Sequence, residues 1–156
     1  MFPNIIERVE YIANFIVKKI KEHNGVDLVI MEDYFVGQNC QTVIQLAVLG
    51  TIVRYILLEN DIGFLAVMPT QIKKFETGSG NAHKDNMLKS VYKNHGFDIE
   101  SNNTADACAT AYLGKAYLEF IGGKTDFIKT QKEVLKKIVK EREIVKPYKQ
   151  KGKEKE

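Results

Sequence analysis

Two acidic stations and one basic loop carry the chemistry that this sequence can offer. The first station is Glu32-Asp33, where the apolar run Val26-Asp27-Leu28-Val29-Ile30-Met31 stops and gives way to Tyr34-Phe35. A carboxylate at the carboxyl end of a strand sits where open α/β sheets place ligands and reacting groups, because strand ends converge on a crevice lined by loops and helix termini. Such acids also mark the plain boundary between a strand and water. The second station is Asn103 and Asp106. Three residues apart on a helix, they project from one face at its amino end, where the helix dipole tolerates a carboxylate; the same spacing describes an ordinary N-cap with an acid in the first turn. The loop Thr77-Gly78-Ser79-Gly80-Asn81-Ala82, with Lys73, Lys74 and Lys84 around it, offers backbone amides and ammonium groups to a nucleic-acid phosphate, or serves as a solvated hinge. It is not a P-loop, since no Gly-Lys-Ser/Thr follows at the required spacing. His23, His83 and His95 show no HxH or HxxxH spacing, so imidazole ligation of a metal is not expected.

The elements that must position these residues follow from periodicity. Val26–Met31 reads as a strand buried on both faces, the pattern of a parallel strand in an α/β sheet. Before it, Ile5, Ile6, Val9, Ile12, Ala13, Ile16 and Ile20 recur at helical spacing, with Pro3 ahead and Gly25 behind, which predicts a helix over 5–20. After it, a helix from about Gln41 to Glu59 is apolar around nearly its whole circumference and is expected to be buried in a core or against another subunit. Phe64–Met68 is a second short strand stopped by Pro69, so strand, helix and strand form a parallel crossover. Pro69–Phe75 predicts a short helix, and 83–94 another with Met87, Val91 and Tyr92 inward and Gly96 as its cap. The helix from Asn103 carries the small residues Ala105, Ala107, Cys108, Ala109 and Ala111, suited to close packing on the sheet. With one partner strand in view, the central strand is expected to leave an edge open to pairing with another chain.

Composition sets the outer bounds. The 156 residues, 44% hydrophobic and 28% charged, fit one domain with a tail. Residues 1–123 form the body and 124–156 a basic amphipathic helix with a disordered end from about 146. The net charge of +3 hides an asymmetry: the first 123 residues carry 11 basic and 14 acidic side chains, the remainder 12 and 6. An acidic body suits a cation and a basic arm suits a polyanion. Cys40 and Cys108 lack CxxC spacing and read as buried thiols of a reducing compartment. No apolar segment reaches transmembrane length, and the start lacks signal-peptide flanks, so the expectation is a cytoplasmic protein without a membrane partner.

Taken in order, the segments Val29-Ile30-Met31-Glu32-Asp33-Tyr34-Phe35, Gly37-Gln38-Asn39, Pro69-Thr70-Gln71-Ile72-Lys73-Lys74, Thr77-Gly78-Ser79-Gly80-Asn81-Ala82-His83-Lys84 and Thr104-Ala105-Asp106-Ala107-Cys108-Ala109 resemble the RuvC-type Holliday-junction resolvases. The resemblance runs from about residue 5 to 120. It implies an α/β fold of the RNase H-like type, with parallel strands and flanking helices. It also implies a homodimer that cuts four-way DNA junctions, with magnesium, or manganese in its place, as cofactor. Within it Glu32 is the acid ending the fourth strand and Asp106 the last acid, on the final helix. Phe35 falls where the family carries an aromatic near the junction centre, and Lys73, Lys74 and Lys84 fall in the segment whose basic residues contact DNA.

Two departures shape the expectation. Asn103 stands where the family usually places a further acid, and its amide oxygen could ligate a hard cation but would bring no charge to it. The family's first three strands, with the first catalytic aspartate, precede the opening helix, whereas Met1 stands just ahead of that helix here. The resemblance therefore implies an amino-terminally truncated domain in which Glu32, Asn103 and Asp106 are the remaining metal ligands and Glu32 and Asp106 the catalytic pair. Two-metal phosphodiester hydrolysis needs carboxylates to anchor cations about 3.5–4 Å apart, so this chain alone is expected to be inactive. The competing reading is a non-catalytic DNA-binding or assembly module that keeps the fold.

Overall fold

A computed structural model describes residues 4–34 and 40–147. The order of elements is α1 (Ile5–Glu22), β1 (Val29–Glu32), α2 (Cys40–Glu59), β2 (Phe64–Val67), α3 (Pro69–Thr77), α4 (Lys84–His95), α5 (Asn102–Ile121) and α6 (Lys129–Glu141). β1 and β2 pair in a two-stranded sheet. The Val29 amide donates to the Gly63 carbonyl and the Asp33 amide to that of Val67, so the stagger is constant and the strands are parallel. The described residues divide into two compact units, one of 4–29, 40–64 and 144–147, the other of 30–34 and 65–143.

In the first unit α1 packs on α2. Asn4 begins α1 by accepting from the Glu7 amide at 2.9 Å while its own amide group donates to the Glu7 carboxylate at 3.0 Å, a reciprocal cap. The face that packs is the i, i+4 row Val9, Ala13, Val17. Ile5 and Ile6, expected inward, are exposed, because the row turns them away from the helix–helix contact. Asn24 and Gly25 adopt positive φ, and the Gly25 amide closes the helix on the Ile20 carbonyl. α2 is buried only in part. Of its described side chains only Val53 and Leu57 are buried, while Ile44, Leu46 and Tyr55 are exposed, so the described residues leave part of its apolar circumference uncovered, as a helix expected to pack in a core or against another subunit allows. The start of β2 gains a partner that periodicity does not reveal: Phe64 and Val145 exchange antiparallel backbone bonds of 3.0 and 2.8 Å.

The second unit holds the larger core, with Ile72, Phe75, Met87, Val91, Ala105, Ala109, Leu113, Leu135 and Ile138 buried. α3 packs on α4, α5 and α6, and α4 packs on α5. β1 is half-buried along Val29–Met31 rather than buried on both faces, and Val26 lies outside it and exposed; among the described residues only β2 pairs with it. α5 meets β1 at Gly114, where a Cβ would lie 2.4 Å from Cγ1 of Ile30. The small-residue face is real but narrower than its composition suggests: Ala105, Ala109, Gly114 and Ala116 are buried, Ala107 and Ala111 exposed. In α4, Met87 and Val91 point inward as expected; Tyr92 is 61% exposed, one position round the helix from Val91. Gly96 ends α4 in the left-handed region at φ 76°. α6 is amphipathic as predicted, burying Val134, Leu135 and Ile138.

Candidate active site at the carboxyl end of strand β1

The second unit brings both predicted acids to one place. Glu32 is the last residue of β1, and Asp106 is half-buried in the second turn of α5. Glu32 keeps an exposed face. Even so, partial burial of its carboxyl end raises its pKa, the Asp106 carboxylate raises it further, and the Lys73 ammonium lowers it. A carboxyl whose charge is disfavoured by burial and by a neighbouring carboxylate, beside one ammonium, is a ready receptor for a cation or a proton. Asn103 lies one turn before Asp106 on the same helix and is exposed. It is not the N-cap. Ser101 takes that position with extended backbone at φ −96° and ψ 126°, and Asn103 is already helical. Among the described residues no group of three or more His, Cys, Asp and Glu stands close enough together to hold a metal ion.

The lysine segment separates into distinct environments. Lys73 belongs to the acid pair's field. Lys74 is bonded at 2.9 Å to the Glu133 carboxylate of α6, and Lys84 is exposed at the start of α4. The loop before Lys84 is more than a hinge. Thr77 Oγ1 donates to the Lys73 carbonyl at 2.8 Å and accepts from the Ser79 amide at 3.2 Å, and Gly78 caps α3 at φ 83°. A Cβ on Gly80 would lie 3.3 Å from the Thr70 carbonyl, so the loop folds back against the start of α3. Phe35 lies outside the described residues.

Three features of the site had no sequence signal that singled them out. Gln71 is buried and its Oε1 accepts from the Met68 amide at 2.9 Å, closing the amino end of α3 directly after β2. Glu76, also buried, receives bonds from Asn94 at 2.9 Å and from Nε2 of His95 at 3.0 Å, and the His95 ring stacks on Tyr112 at 3.5 Å. Arg142, within the basic segment 124–156, forms an ion pair with Oδ2 of Asp33, the residue after Glu32. Pairings between residues this far apart in the chain leave no trace in local composition. Only the acid following Glu32 hinted at a need for a counter-charge.

Comparison with known proteins gives these positions a setting. The model of the family "Crossover junction endodeoxyribonuclease RuvC" matches residues 3–113. Curated proteins of that name are similar: 35% identical over 96 residues in Brachyspira hyodysenteriae, 28% over 110 in Chloroherpeton thalassium and 30% over 90 in Carboxydothermus hydrogenoformans. These matches cover 62%, 69% and 56% of this chain and 58%, 59% and 57% of the relatives, so the chain spans just under three fifths of their length. The solved Thermus thermophilus RuvC structure superposes with a TM-score of 0.65 at 21% identity, covering 77% of this chain and 74% of that one. This likeness shows the fold to be α/β of the RNase H-like type. A match over residues 3–113 takes in every element from α1 to the turns of α5 that carry Asn103 and Asp106, and on that ground the chain belongs to the RuvC crossover junction endodeoxyribonuclease family.

Proposed function

We propose that this chain forms part of a structure-selective endodeoxyribonuclease that cuts four-way DNA junctions, with Glu32 and Asp106 as its acidic pair. The observation that carries the reading is the charge that Asp106 sets against Glu32, beside Lys73, in a member of this family. Their hard oxygen donors suit magnesium or manganese, and the penalty that Asp106 puts on Glu32 is the one a divalent cation removes. Glu32 and Asp106 would hold the ion, with the Asn103 amide oxygen as a neutral third donor. A divalent ion bound there would supply Lewis-acid activation of the phosphodiester. The chain's own contribution is placement: β1 and α5 set the two carboxylates, and Lys73 sits where an incoming phosphate would meet positive charge. Lys84, with Lys74 when released from Glu133, would hold flanking phosphates, and Phe35 would stand near the junction centre. Exposed Ile44, Leu46 and Tyr55 on α2 support a second copy of the chain as partner.

The test incubates a labelled four-way junction and a matched linear duplex with this chain, and with the chain extended to the length of its relatives. The extended form is expected to cut only the junction, and Glu32→Gln and Asp106→Asn to abolish cutting while junction binding persists. Undiminished cleavage by both variants would remove these residues from the chemistry. A second reading, a DNA-binding module without cleavage, is favoured by one observation, that an amide rather than an acid stands at 103. Junction binding without cutting by the extended form would select it.

A further inference from the structure

We propose that Arg142 is a positioning residue: carried by α6, it pins Asp33 and so fixes the end of β1 that bears Glu32. This inference rests on the nuclease reading for its consequence in catalysis, but its geometry stands apart from that reading.

Asp33 is held through both its backbone and its side chain. Its amide makes the ladder bond to the Val67 carbonyl at 2.8 Å, at the end of β1. Its side chain uses both oxygens: Oδ1 accepts from the Tyr34 amide at 2.9 Å and Oδ2 from Nη1 of Arg142. Successive strand residues point to opposite faces. A restraint on Asp33 therefore holds the peptide unit behind Glu32 from the far side without occupying the site. The two side chains are only 23% and 26% exposed, so the pair is less screened than an ordinary surface bridge.

Arg142 is itself well anchored. It follows the last residue of α6, with its amide bonded to the Ile138 carbonyl at 2.9 Å. α6 buries Val134, Leu135 and Ile138 and packs on α3, where Glu133 also holds Lys74. The guanidinium thus reaches Asp33 from a rigid element. Both α6 and Arg142 lie beyond residue 113, outside the region that the family model matches.

The experiment uses the full chain and two readouts, manganese affinity by titration and amide hydrogen exchange at Asp33 and Tyr34, with the amides of α6 as an internal control. Arg142→Gln is expected to weaken manganese binding about 10-fold, the lower end of effects for residues behind a metal ligand, and to speed exchange at Asp33 and Tyr34 while α6 stays protected. Asp33→Asn should do the same, the double variant should be no worse than either single one, and Arg142→Lys should recover most of the loss. A long-range charge effect has the opposite sign, since removing a cation beside the site would tighten manganese binding. Tighter or unchanged affinity with unchanged exchange in Arg142→Gln overturns the proposal. Should the unmodified chain bind no manganese, the metal reading of Glu32 and Asp106 fails, and the exchange rates alone decide for or against the Arg142 restraint.

Discussion

At the level of single residues, the acid pair was legible because its signal is local: an apolar run ending in Glu32, and Asp106 in a stretch that fits a helix mouth. What the sequence could not convey is how the two share a field, and that field makes a prediction. The folded state raises the Glu32 pKa, so between the ordinary carboxylate range and that raised value it binds more protons than the unfolded chain. Stability from this group is thus full at low pH and lost as pH rises through the window. Without divalent ions, Glu32→Gln should flatten that slope and gain about 0.5 kcal/mol or less near neutrality, a small figure because water screens the exposed face. Denaturation curves across pH check it, and identical slopes for both proteins would count against the pairing. Cys108 offers a second case. Burial and the Glu76 carboxylate both raise its thiol pKa, so its alkylation near neutral pH should run well below that of the unfolded chain, as read by mass spectrometry on its peptide. Of the two readings of Asn103, the N-cap fails: Ser101, two residues earlier, is an equally good capping type, and only the backbone angles separate them.

Elements were easier to read than their faces. Among the described residues, the helices and strands from α1 to the start of α5 lie within a few residues of where periodicity puts them, and α6 lies inside the basic segment, since punctuation by Gly25, Pro69, Gly78 and Gly96 is written in backbone chemistry. Burial is a property of neighbours. α2 is apolar all round, yet the described residues cover only part of it, and no count of apolar residues could say which side. α5 shows the reverse: Gly114 is one small residue among many in the sequence, but a Cβ there would lie 2.4 Å from Cγ1 of Ile30. Gly114→Ala would normally favour a helix; here the added methyl meets Ile30 and should cost about 1–3 kcal/mol by overpacking. The paired variant Gly114→Ala with Ile30→Val should recover part of that. A stabilised single variant in thermal unfolding would show that α5 and β1 have room to spare.

For the whole molecule, charge asymmetry was plain from composition, whereas its use was not. Lys74 is joined to Glu133, and Arg142 to Asp33, so part of the basic carboxyl-terminal region is engaged with the body rather than free for DNA. Residues 148–156, expected to be disordered, lie outside the described residues. If the lysines from 146 onward touch phosphates, removing 146–156 should flatten the log-affinity against log-salt slope by about 0.9 per lost contact on duplex DNA; equal slopes would show that the arm makes none. The bridge between Phe64 and Val145 reaches back about 80 residues, and this has a consequence for the order of synthesis. The partner of Phe64 is made among the last described residues, so the edge of β2 at Phe64 stays without its bridge while those residues are added. At about 5–20 residues per second that interval lasts roughly 4 to 16 s. During it the nascent chain holds an apolar strand end open to chaperones and to neighbouring chains on the same message, and the speed of synthesis sets how long that edge can meet a stranger before it meets Val145.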